Sequence, residues 1–77
     1  MTLQQIEYIV ALAEYGQFVA AADALGVNQS TLSLMVKKLE EELDVQIFDR
    51  SSHPIRPTSI GQKLIDKAML IQKASME

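Results

Sequence analysis

The segment that leaves the least conformational freedom is Phe18-Val19-Ala20-Ala21-Ala22-Asp23-Ala24-Leu25-Gly26-Val27-Asn28. Its small side chains let another helix approach closely, and it ends on a glycine, which adopts the left-handed backbone of a helix end without steric cost. Just beyond, Asn28 offers a side-chain oxygen to the unpaired N–H groups at the start of a new helix. The pattern predicts a short helix over Phe18–Leu25, a tight turn over Leu25–Asn28 and a second helix from Gln29. That arrangement is the helix-turn-helix signal.

The flanking sequence completes a small helical domain. Thr2 followed by Gln5 has the spacing of a capping box, so a helix is expected from Leu3 to Tyr15, with Gly16 as its terminator. Leu3, Ile6, Val10 and Ala13, with Ile9 beside them, recur at the helical period and mark its buried face. Leu32, Val36, Leu39 and Leu43 form a second stripe, which predicts a helix over Gln29–Leu43. Its opposite face carries Ser30, Leu34, Lys37, Lys38 and Glu41, with Gln29 and Ser33 on a flank and Met35 near the edge of the stripe. Leu34 thus faces away from its own core, which calls for a reason.

Val45-Gln46-Ile47-Phe48 is β-branched and aromatic, and two prolines frame Ile55 and Arg56. Short strands over about Gln46–Phe48 and Arg56–Thr58 would make a hairpin, or wing. Thr58 or Ser59 can cap a last helix from about Ile60 to at least Ala74. Within it Leu64, Ala68, Ile71 and Ser75 are spaced 4-3-4, the coiled-coil repeat. Beyond Ala68 this helix outruns any three-helix core, so Met69, Leu70 and Ile71 are expected to meet a second copy of the chain. No stop signal precedes Glu77, which reads as a fragment of a longer protein. The expected architecture is mainly α: a winged helix-turn-helix over residues 1–58, then the start of a linker or dimerisation helix over 59–77.

Composition narrows the function. With 77 residues there is room for one core, and such domains commonly gain stability from disulfides, metals or self-association. There is no cysteine and only one histidine, His53, so no metal or cofactor site is expected and self-association is favoured. No basic leader or membrane-spanning run is visible, and a cytoplasmic protein is expected. Ser51, Ser52 and His53 adjoin in sequence, but a small helical domain provides no evident pocket for nucleophile and base, and enzymatic activity is not expected. The net charge of −3 is unusual for a nucleic-acid binder, yet all seven basic residues fall between Lys37 and Lys73.

Taken together, Phe18-Val19-Ala20-Ala21-Ala22, Leu25-Gly26-Val27-Asn28-Gln29-Ser30-Thr31-Leu32-Ser33, Lys38-Leu39-Glu40-Glu41-Glu42-Leu43, Ile47-Phe48-Asp49-Arg50 and Pro57-Thr58-Ser59-Ile60-Gly61 resemble, in order and spacing, the N-terminal domain of LysR-type transcriptional regulators. Thr31-Leu32-Ser33 and the Glu40–Glu42 run are most similar to its peroxide-responsive, OxyR-like branch. The resemblance implies bacterial transcription regulation by sequence-specific binding of double-stranded DNA. It places the helix from Gln29 in the major groove and the wing on the flanking backbone, in a homodimer or, for a full-length parent, a tetramer. It also implies a following effector-binding domain, absent from this sequence. The positions it implies for DNA contact are Asn28, Gln29, Ser30, Thr31 and Ser33, then Lys37, Arg50 and Arg56. The chain departs from the usual pattern at Gln17, where serine is common, at Ser30, where proline is common, and at Leu34, where a polar or basic residue is common.

The chemistry of these residues suits that role, with a plainer reading beside each. Gln29 can pair both ends of its amide with adenine N6 and N7, or be an ordinary solvent-exposed residue. Leu34 can pack on a thymine methyl, or be a scattered surface leucine. Lys37, Arg50 and Arg56 are candidates for phosphate contacts. Lys37 and Lys38 can also pair with Glu41 and Glu42, and Arg50 can fold back on Asp49 or a helix carboxylate. Glu40 to Glu42 and Asp44 would repel DNA and should lie where the helix leaves the groove. The competing function is a winged-helix protein-interaction module that does not touch DNA, which the acidic net charge and Leu34 would suit.

Overall fold

A computed structural model describes residues 1–76; Glu77, the last residue of the expected 59–77 helix, lies outside them. The elements run α1 (Leu3–Tyr15), α2 (Phe18–Leu25), α3 (Gln29–Leu43), β1 (Phe48–Asp49), β2 (Arg56–Pro57) and α4 (Ser59–Met76). The strands pair antiparallel, Phe48 opposite Pro57 and Asp49 opposite Arg56.

Local chemistry explains the helix bounds. The capping box forms, with Gln5 N–H donating to Thr2 Oγ1 at 3.1 Å and Thr2 N–H donating to Gln5 Oε1 at 2.9 Å. Gly16 and Gly26 end α1 and α2 in left-handed conformation. Asn28 Oδ1 accepts the Thr31 N–H at 2.8 Å and starts α3. Gln17, by contrast, makes no side-chain cap bond, and α2 is held by burial of Ala21 and Ala22.

α1 lies at the centre and packs on α2, α3 and α4. Ile9, Leu12, Leu32, Val36, Leu39, Ile47, Phe48 and Ile65 are the largest fully buried side chains, each stabilising the fold by about 1.5–3 kcal/mol relative to exposure. Two expected stripe residues, Leu3 and Leu43, are exposed, because each sits at a helix end beyond the reach of its neighbours.

The fourth helix departs from the sequence reading. Its buried row is Gly61, Ile65 and Ala68, spaced four and three apart like the expected repeat but one register round the helix at its start. Ala68 is 0% exposed inside the chain's own core, so it presents no surface to a second copy. Leu64 is half-buried against the same core, and only Ile71 and Ser75 of the expected set are exposed. Gly61 explains the approach: a Cβ there would overlap the Ile47 carbonyl. The core of the winged domain therefore includes the first half of α4.

The wing is fastened at both ends. Ile55 N–H donates to Gly16 O at 2.8 Å, seating the wing loop on the α1–α2 turn, where a Cβ on Gly16 would lie 2.6 Å from Pro54 Cβ. Thr58 N–H donates to Ile47 O at 2.9 Å, and Gly61 N–H donates to Thr58 Oγ1 at 3.0 Å, so Thr58 both closes the hairpin and caps α4. The first strand starts two residues later than expected. Ile47 and Phe48 are apolar because the core buries both, and their N–H groups are taken by a side chain of α3.

Candidate nucleic-acid interface

The outward face of α3 is built by the stripe that buries its inner face. With Leu32, Val36 and Leu39 fixed in the core, the 3.6-residue period turns Ser30, Leu34 and Lys37 away from it. Gln29, Ser30, Ser33, Leu34 and Lys37 are all exposed, and together they line one shallow depression. An amide, two hydroxyls and an ammonium thus converge around a single apolar side chain. Thr31 is exposed beside them, its N–H held by the Asn28 cap. Because Asn28 Oδ1 is engaged in capping, only its amide nitrogen is left to donate outward.

The wing residues divide. Arg56 is exposed on β2 opposite Asp49. Arg50 turns back onto the domain: its Nη2 donates to Glu40 Oε1 at 2.8 Å and its guanidinium carbon lies 5.8 Å from the Phe18 ring centroid. Of the two roles the sequence left open for Arg50, this is the structural one. Lys37 and Lys38 form no ion pair with Glu41 or Glu42; among the described residues the pair is Arg50–Glu40. A lysine N-terminal to its glutamate at this spacing is the weaker orientation, which accounts for the open pairs.

Glu40 is the helix carboxylate on which Arg50 folds back. It belongs to an acidic run expected to lie where the helix leaves the groove, and its side chain is only 12% exposed. Its Oε2 accepts the Ile47 and Phe48 N–H groups at 2.7 and 3.3 Å while Oε1 accepts from Arg50. A helix carboxylate is among the partners open to Arg50, but no local spacing singles out Glu40 or its two backbone donors, which lie seven to ten positions ahead across a turn.

Asp49 organises the wing loop. Its Oδ1 accepts both the N–H and the hydroxyl of Ser51, and these hydrogen bonds hold its carboxyl below the ordinary carboxylate value. His53 is exposed, and no group of three potential metal-ligating side chains occurs among the described residues.

The helical core, the tight turn before α3 and the fastened hairpin define a winged helix-turn-helix domain. Residues 3–62 match the family model described as bacterial regulatory helix-turn-helix protein, lysR family, and the chain belongs to that family. It is 41% identical over 75 residues to the probable HTH-type transcriptional regulator YhaJ of Escherichia coli (strain K12), covering 97% of this chain and 25% of that protein. To the DNA-binding transcriptional dual regulator OxyR of the same strain it is 42% identical over 71 residues, covering 92% and 23%. The chain spans about a quarter of the length of these curated relatives. Among solved structures, the BenM DBD in complex with catB site 1 DNA superposes with a TM-score of 0.94 at 35% identity, covering 97% of this chain and 81% of that one. The CbnR DBD–DNA complex gives 0.90 at 32% identity, covering 97% and 86%.

Proposed function

We propose that this chain binds double-stranded DNA sequence-specifically to regulate bacterial transcription, laying α3 in the major groove and the wing on the flanking backbone. The observation that carries the reading is the convergence of Gln29, Ser30, Ser33 and Lys37 on the exposed face of α3. Gln29 has the two-ended amide that adenine requires, and the serine hydroxyls can donate to or accept from base edges. Lys37 and Arg56 supply phosphate contacts, which dominate affinity and make it salt-dependent. Arg50 braces the wing from behind. The structural likeness to domains solved on DNA supports the same docking.

The far end of α4 supports a homodimer. Met69, Leu70 and Ile71 are exposed there, Leu70 by 69%, and such a run of apolar surface is covered most simply by its counterpart on a second copy. The functional unit works in the bacterial cytoplasm, where the DNA is; among the described residues no helix is long and apolar enough to cross a membrane.

Selection of bound duplexes from a random DNA pool, followed by affinity against salt, tests the reading. Enrichment of an inverted repeat with affinity falling steeply as salt rises is the expected result. Absence of both from a folded protein at low salt would overturn it and leave a protein-interaction module.

A further inference from the structure

We propose that Leu34 is a specificity-determining residue that reads the 5-methyl group of a thymine in the major groove; this rests on the DNA-binding reading above. Leu34 is 57% exposed and projects almost opposite the buried stripe of α3, toward whatever occupies the outer face. It is the one apolar residue lining the depression it shares with Gln29, Ser30, Ser33 and Lys37. A hydrophobic protein partner would require a contiguous apolar patch, and polar side chains surround this leucine instead. The complementary surface must therefore be mainly hydrogen-bonding and anionic, with one small apolar feature.

The major-groove edge of DNA fits that description. Its edges carry amino, carbonyl and ring-nitrogen groups, and its distinctive apolar feature is the thymine C5-methyl. The same step can satisfy both kinds of side chain, since adenine presents the donor and acceptor that suit Gln29 while a thymine presents the methyl. Serine and lysine could accept several sequences. A leucine cannot form a hydrogen bond, so burying it against a cytosine amino group would strand that donor, whereas a methyl loses nothing. Leu34 thus adds discrimination at one position and contributes nothing to salt-dependent affinity.

The test uses the duplex enriched from the random pool. Each thymine is replaced in turn by deoxyuridine, which deletes only the methyl, and binding of the natural chain is compared with that of Leu34→Ala. Because Leu34 lies outside the core, the variant folds, which circular dichroism verifies. One thymine per half-site should emerge whose methyl removal weakens binding by roughly three- to tenfold in the natural chain, as expected for one buried methyl group. The Leu34→Ala protein should bind the two duplexes alike. Equal penalties in both proteins, or none at any thymine, would overturn the assignment of Leu34 while leaving DNA binding intact. Failure to enrich any duplex would overturn the DNA reading and this inference with it.

Discussion

Arg50, in the turn just past β1, and Glu40, on α3 ten residues earlier, meet at 2.8 Å while the same carboxylate takes the N–H groups of Ile47 and Phe48. The two partners do not matter equally. Arg50 is 36% exposed and its charge can return to water, but the Ile47 N–H lies in a fully buried residue and has nowhere else to go. Glu40→Ala should destabilise the domain by about 2–3 kcal/mol, the cost of orphaning buried donors. Arg50→Ala should cost about 1 kcal/mol or less, as exposed ion pairs do. Urea unfolding of both variants checks the order; equal losses would mean that the ion pair, not the backbone capping, anchors the wing.

Two glycines separate space from backbone angle. At Gly61 a Cβ would collide with the Ile47 backbone, and at Gly26 it would meet open space although φ is +73°. Gly26→Ala should therefore cost about 1–2 kcal/mol, the penalty of a left-handed residue. Gly61→Ala should cost more, since α4 must back away from the wing and loosen Ile65 and Ala68. Thermal melts of the two variants measure the difference.

Acid should loosen the Asp49–Ser51 turn at the start of the wing loop. Asp49 is held below its ordinary value by Ser51, so its carboxylate stabilises the folded loop above the unfolded-state value of about 3.9. That contribution is lost as pH falls through the lower folded value. An NMR titration should give Asp49 a midpoint below that of an unperturbed aspartate, and Ser51→Ala should move it upward. An unmoved midpoint in the variant would show that Ser51 is not the cause.

On DNA, Lys37→Ala and Gln29→Ala should fail in different ways. Loss of Lys37 should weaken all duplexes alike and reduce the salt slope by about one. Loss of Gln29 should relax preference at one base pair by about 1–3 kcal/mol with the slope unchanged. Titrations of the selected and a scrambled duplex at several salt concentrations distinguish them.

The bounds of α1, α2 and α3 were legible because caps and periodicity act locally: Thr2, Gly16, Gly26 and Asn28 each do their work within one turn. The exposed face of α3 was legible for the same reason, since fixing Leu32, Val36 and Leu39 inside fixes Gln29, Ser30, Ser33, Leu34 and Lys37 outside. The register of α4 was ambiguous because Leu64 and Ile65 are both apolar, and the choice depends on Gly61 meeting a carbonyl that only the folded chain brings there. The first strand was displaced for a similar reason. Its N–H groups answer to Glu40, and a tie across a turn leaves no periodic trace.

Anchoring the wing through Glu40 also fixes a length. The face that begins at Gln29 and the carboxylate that holds the wing belong to one continuous helix. At 1.5 Å per residue they are separated by about 16 Å along its axis. Neither end can slide along that helix without the other, so a surface that meets both the α3 face and the wing meets them at a spacing set by the helix itself.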